Sequence, residues 1–318
     1  MSPAVIAPPV TGILILNYHQ PQVTVQCVAS FLAREPGTSR ILWIENDAAQ
    51  TREALMASLA AAPFPWVELD PDQGALPPSG TVGVLFCPDN LGYAAGNNVG
   101  LRFLHRHGVP FGWVVNNDTL LTAGSSVQLV AAARARPEVG AWGTVIVTDH
   151  PPQYFGGIVQ IRDFALRLAT TPESLEDPLA FVSGCSLFMP MAIAAEVGWL
   201  PEDYFLYYED PSFSLLLKRA GYRIGGLGTV TVRHMESLAT GSRSPLMEYY
   251  SHRNRWFFIE RFFPAHLARQ RRRIAYTLQK YLFRGKLTAI RIEWAAYRDY
   301  RRGLLGRTLR AFSRQKRR

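Results

Sequence analysis

The chain has 318 residues, 48% of them hydrophobic and 12% aromatic, which is ample for one large core with a smaller addition and excludes a disordered chain. Its formal net charge of +9 hides a division: residues 1–260 hold 16 Lys and Arg against 23 acidic residues, whereas 261–318 hold 18 against 2. An acidic body with a basic tail points to a catalytic or binding body joined to a segment that meets a polyanion.

The N-terminus MSPAVIAPPV has no basic region followed by an apolar stretch, and no uncharged run approaches the roughly 18 residues of a spanning helix. A cytoplasmic protein that does not cross a bilayer is therefore expected, with the basic tail as a peripheral contact on the cytoplasmic face of a membrane. Cys27, Cys87 and Cys185 lie far apart in apolar segments, without metal-ligand spacing, and read as small hydrophobes in a reducing compartment.

In chain order, GILILNY (12–18), RILWIEN (40–46), TVGVLFC (81–87) and FGWVVNN (111–117) predict buried strands. Between them, residues 21–34, 51–61 and 95–107 show helical spacing. Such alternation predicts a mainly parallel sheet covered by helices on both faces, with ligands beyond the carboxyl ends of the strands. Those ends are Asn17-Tyr18-His19, Glu45-Asn46-Asp47, Pro88-Asp89-Asn90 and Asn116-Asn117-Asp118. Each alone reads equally as a turn or helix cap, but four on one edge favour a site.

The dinucleotide fingerprint is missing after the first strand, where NYHQP stands, and no phosphate loop of the G-x-x-x-x-G-K-[ST] type occurs. A nucleotide diphosphate can instead be neutralised by a hard divalent cation on carboxylate oxygen, and Asp118 is placed for that. Residues 148–180 break the rhythm with Pro, Gly and a predicted hairpin. Farther on, Glu209-Asp210 follows YFLYY and opens an amphipathic stretch ended by Gly221. Acids in a helix's first turn are favoured by its dipole; alternatively, their aromatic neighbours desolvate one of them into a useful base.

From about 12 to 260 the sequence resembles the family 2 glycosyltransferases of GT-A fold, especially their rhamnosyltransferase-like branch. The resemblance is carried by LILNYHQP, WIEND, NLGYAAGNN (90–98), NND (116–118), the block running through YFLYYEDPSFSLLLKRAGYRI, and VTVRHMESLATG. It implies a GT-A nucleotide-diphospho-sugar transferase fold over 1–260, a Rossmann-like mixed, mainly parallel sheet flanked by helices, with a basic helical extension over 261–318. It also implies an inverting transferase that moves a sugar, rhamnose as the best guess, from a dTDP-, UDP- or GDP-sugar to a glycan or lipid-linked acceptor, in cell-surface polysaccharide synthesis.

Residue by residue, the resemblance makes Asp118 and His234 the ligands of Mg²⁺ or Mn²⁺. Asn116 stands where many members have a further acid. Asp210 becomes the catalytic base, with Glu209 beside it. Asn17, Glu45, Asn46, Gly92, Asn97, Asn116 and Asn117 fall to the donor side, Glu45 at the base or ribose and Gly92 and Gly96 where the backbone passes close to the donor.

In the tail, Leu287, Ile290, Trp294 and Tyr297 fall on one helical face, with Lys286, Arg291, Arg298 and Arg302 largely away from it. That stripe either meets an anionic membrane surface through 264–318 or packs on the body. Two further classes stay open: a catalytically silent nucleotide-sugar-binding relative, and a nucleic-acid-binding protein using the Arg-rich tail. The acidic body, lacking basic-aromatic interleaving, argues against nucleic acid.

Overall fold

The computed structural model describes residues 10–235 and 244–308. Its first half follows the predicted alternation: β1 (Thr11–Asn17), α1 (Pro21–Leu32), β2 (Ser39–Asn46), α2 (Ala48–Ala60), β3 (Trp66–Leu69), β4 (Val82–Cys87), α3 (Tyr93–Arg106) and β5 (Phe111–Asn116). The short, half-exposed WVEL of β3 is an addition, because its apolar signal is too weak to be read alone. Then come β6 (Thr119–Ala123), α4 (Ser126–Ala135), β7 (Val139–Val147), β8 (Gly156–Val159), β9 (Leu166–Ala169), β10 (Ala180–Val182), β11 (Ser186–Pro190), α5 (Met191–Glu196), α6 (Glu209–Arg219) and β12 (Arg223–His234). Three helices finish the chain: α7 (Pro245–Phe262), α8 (Leu267–Phe283) and α9 (Leu287–Arg301).

Nine strands form one sheet in the order β3-β4-β2-β1-β5-β11-β7-β12-β6. The run from β3 to β5 is parallel, β11 is antiparallel to both neighbours, and β12 runs parallel to β7 but antiparallel to β6. The chain winds from β1 outward to β2 and then returns to β5 on the other side of β1. The crevice beyond the carboxyl ends of β1 and β5 is therefore a topological switch point, where such sheets bind ligands. Because every core strand is buried on both faces, its sequence is a continuous Ile/Leu/Val run. One face packs Leu101, Leu104, Phe213 and Leu217 from α3 and α6. The other packs Val28, Phe31, Leu59 and Leu129 from α1, α2 and α4.

The predicted hairpin in 148–180 is present as antiparallel β8 and β9, completed by β10 into a small second sheet. The expected boundary between 260 and 261 falls inside α7, which packs against α9 through Tyr249, Tyr250, Ile292, Ala295 and Ala296. Trp256 of α7 stacks on Tyr300 of α9 at 5.6 Å between ring centroids, and Tyr249 Oη donates to Asp299 at 2.8 Å.

Of the two readings of the α9 stripe, packing on the body does not hold for Leu287 and Trp294. The docked face of α9 carries Ile292, Ala295, Ala296 and Tyr300, while Leu287 and Trp294 remain more than half exposed. Two small alanines let the helix axes approach, and this close contact outweighs the larger but more dispersed apolar residues.

Candidate active site

A cleft of about 760 Å³ opens at the switch point, within the size range of small-molecule sites. Asp118 answers to no helix: the chain turns at Asn117-Asp118 and continues directly into β6, so a capping role is excluded. Register explains its position. β12 pairs with β6 so that His234 lies opposite Thr119, next to Asp118, after a bulge between Thr231 and Val232 that re-aims the strand end. His234 Nε2 thereby comes within 3.1 Å of Asp118 Oδ1, and the backbone N–H of Met235 donates to the Asp118 carbonyl. Burial alone would lower the proton affinity of His234; hydrogen bonds and charge from Asp118 and Cys185 outweigh it and raise its pKa to about 11.

A hard divalent cation would take the place of the proton that now joins Asp118 and His234, since the imidazole must be neutral to act as a ligand. Among the described residues no group of three or more His, Cys, Asp or Glu assembles, so these would supply one carboxylate and one imidazole. Mg²⁺ or Mn²⁺ held this way would need further ligands from outside the protein, such as water or substrate phosphate.

Facing them is the start of α6. Glu209 and Asp210 both line the cleft and are largely buried. Asp210 Oδ2 accepts from the Gly184 N–H at 3.1 Å, and Tyr93 Oη donates to the Gly184 carbonyl at 2.5 Å, so one turn between β10 and β11 ties α6 to α3. Burial, then the charge of Asp210, push the Glu209 carboxyl well above the usual carboxylate range. Burial also raises Asp210, partly offset by the Gly184 N–H. Glu209 Oε2 is buried without a hydrogen-bond partner among the described residues. Two carboxyls whose proton affinities burial raises, facing a cleft, are suited to general-base work.

The acid pair depends on a strained approach. Phe205, Tyr207 and Tyr208 have φ of 67°, 69° and 79°, and they are clamped from α7. Asn254 Nδ2 donates to the carbonyls of Tyr204, Leu206 and Tyr207 at 2.7–2.9 Å, and its Oδ1 accepts from Arg253. Arg253 in turn donates to the carbonyls of Tyr204 and Gly306. Both clamp residues are fully buried.

The donor-side candidates divide. Asn46, Gly92, Asn116 and Asn117 line the cleft. Asn46 shapes its wall by donating to Asn90 Oδ1 and the Gly92 carbonyl and accepting from the Leu91 N–H. Gly92 has φ of 88°, and a Cβ there would stand 2.3 Å from the Phe205 carbonyl oxygen; the glycine is required by this backbone crossing. At Gly96 a Cβ would stand 2.7 Å from the Leu16 Cδ1, so a side chain there would need that leucine end to shift.

Asn17, Glu45 and Asn97 do not line the cleft. Glu45 is fully buried beneath it, its oxygens taken by Asn17 Nδ2, Trp43 Nε1 and Thr51 Oγ1, so the expected contact with base or ribose is corrected to a structural one. Asn17 accepts from Gln20, Thr24 and Asn117, supporting the floor from below. Asn97 lies on the buried face of α3 and donates to the Tyr93 carbonyl.

Sequence reading placed Tyr18 among the strand ends without a role and missed Tyr93, Tyr207 and Tyr250, and also Arg307 and Thr308, all of which line the cleft. YFLYY was a usable signal for Tyr207. For Arg307 there was none: after α9 a strap returns to the cleft, held by Gly306 N–H on the Asp203 carbonyl and by Thr308 against Tyr249 and Tyr250.

No family model and no curated protein matches the chain. Among solved structures, that of GalNAc-T7 with UDP, GalNAc and Mn²⁺ is similar with a TM-score of 0.58 and 12% identity, over 80% of this chain and 48% of that one. Mannosyltransferase PcManGT from Pyrobaculum calidifontis, in complex with GDP-Man and Mn²⁺, is similar with a TM-score of 0.53 and 14% identity, over 91% of this chain and 74% of that one. The chain thus spans about half the length of the first of these structures. At such identities the likeness establishes the architecture: this chain has the α/β GT-A fold of glycosyltransferases, as its motifs implied.

Proposed function

We propose that the protein is an inverting glycosyltransferase using a nucleotide-diphosphate sugar. The observation that carries this reading is the meeting of Asp118, His234, Glu209 and Asp210, from three separate stretches of chain, around one cleft at the switch point. Asp118 and His234 would hold the Mg²⁺ or Mn²⁺, which would supply positive charge to the donor diphosphate and to the leaving group. The relatedness in fold to structures containing UDP or GDP-Man with Mn²⁺ supports that donor class. Rhamnose on dTDP remains the first donor to try, on the strength of the rhamnosyltransferase-like motifs.

Asp210 accepts the proton of an acceptor hydroxyl as that oxygen's lone pair forms a bond to the anomeric carbon. The bond from that carbon to the diphosphate oxygen breaks, its electron pair leaves with the diphosphate, and the configuration inverts. Glu209 Oε2, unpartnered and buried at the wall, accepts a hydrogen bond from a sugar hydroxyl. The acceptor, a glycan or a lipid-linked glycan of a cell-surface polysaccharide, enters along a groove of about 350 Å³ lined by His150, Pro151, Leu166 and Phe181, which shares Tyr154 and Ser183 with the cleft.

The test is turnover of dTDP-, UDP- and GDP-sugars with added Mn²⁺. Asp118→Ala is expected to lose both turnover and its dependence on the cation; Asp210→Asn is expected to bind donor and lose at least about a hundredfold in rate. Full turnover by either variant refutes its assigned role, and absence of turnover and donor binding by the parent refutes the reading as a whole.

A further inference from the structure

The turn joining α8 and α9 projects Leu282, Phe283 and Leu287 into solvent, Phe283 being 89% exposed. Around them stand Lys280, Arg284, Lys286 and Arg291, with Trp294, 57% exposed, about two turns farther along α9 from Leu287. Between residues 267 and 308 there are 12 Lys and Arg and only two acids, Glu293 and Asp299, and both acids are buried. The surface that this hairpin turns to its surroundings therefore carries cations and large apolar groups without a carboxylate. None of the tip residues lines the cleft, and α9 docks on α7 through its other face.

We infer that this tip is a docking surface for an anionic lipid bilayer. Exposed aromatic and aliphatic groups ringed by Lys and Arg match the headgroup–acyl boundary, where apolar side chains enter the acyl layer and the cations meet phosphate. A single-stranded nucleic acid needs a basic groove with stacking platforms, and a convex turn offers none. Trp294 is the residue type that settles at such an interface. From the tip the chain runs along α9, about 22 Å at 1.5 Å per residue, to the strap that lines the cleft. The inference concerns a surface outside the cleft, so it stands or falls independently of the transferase reading.

The test is flotation of the full chain with phosphatidylcholine vesicles, with and without about 30% phosphatidylglycerol. The parent is expected to float with the anionic vesicles and to be released from them by high salt. Phe283→Ser combined with Trp294→Ser, and separately Lys280→Glu with Arg284→Glu and Lys286→Glu, are each expected to lower partitioning roughly tenfold or more. Both variants keep the parent's melting temperature, since the side chains changed are exposed. Equal flotation of parent and variants overturns the inference, as does a parent that ignores anionic vesicles. Tip-dependent retention of RNA, or tip-dependent dimerisation, in place of vesicle binding overturns it in favour of those partners.

Discussion

Replacing Asn254 by Ala probes the link between α7 and the acid pair proposed as catalytic. The side chain is fully buried, and its two amide hydrogens serve three backbone carbonyls, those of Tyr204, Leu206 and Tyr207, while Oδ1 accepts twice from Arg253. Alanine removes about two net hydrogen bonds, leaves the freed carbonyls unsatisfied, and deprives a buried guanidinium of its side-chain acceptor. At about 1 kcal/mol for each neutral bond and about 2 kcal/mol for the charged one, the loss is on the order of 4 kcal/mol. That is a large share of the ~5–15 kcal/mol that holds a typical domain together. The clamp also opposes the strain of three side chains at positive φ, about 1 kcal/mol or more each, so its removal lets the approach to Glu209 and Asp210 relax. Urea unfolding is expected to show the stability loss. Kinetics at low temperature, on protein that remains folded, are expected to show a fall in kcat larger than any rise in KM. A loss below about 1 kcal/mol with kcat unchanged would refute the clamp.

The remaining predictions concern buried acids. The raised pKa of Glu209 means that the folded state favours its protonated form; the stability this brings is present at low pH and lost as pH climbs through the raised value. Glu209→Gln is expected to flatten that decline, so its melting temperature exceeds the parent's at alkaline pH and not at pH 4; parallel curves for the two proteins would contradict the assignment. Glu293 behaves oppositely. Burial works against its charge, but His252 at 2.5 Å and Arg255 at 3.1 Å prevail and hold its pKa below the usual 4.5, so its contribution is present above that value and lost as pH falls. Glu293→Ala leaves the Arg255 guanidinium and the His252 imidazole without their shared partner between α7 and α9 and is expected to cost about 3 kcal/mol, read as earlier proteolysis within 267–308 and a lower melting temperature.

Much of this molecule was legible without coordinates. The Ile/Leu/Val runs of β1, β2, β4 and β5 declare strands buried on both faces, and the spacing of Val28, Phe31, Leu101 and Leu104 declares the helices between them. A polar residue at the end of such a strand must stand on the ligand-binding edge, and this local logic singled out Asp118 and Asn116.

What the sequence could not reveal depends on partners distant along the chain. Glu45 and Asn46 are neighbours in one strand, yet successive side chains point to opposite faces, and only the presence of Asn17, Trp43 and Thr51 shows that Glu45 is consumed beneath the floor while Asn46 faces the cleft. Arg307 reaches the cleft because Arg253 and Asp203 hold the strap, and nothing in its own neighbourhood announces that. In α9 the periodicity marked Leu287 and Trp294 as an apolar stripe without saying whether it packs on the body, while the docked surface belongs to Ile292, Ala296 and Tyr300. A helix's own pattern states that an apolar face exists; which face is buried is decided by the shape of what it meets, and here the flat aromatic surface of α7 accepts the alanines and leaves the larger side chains outside.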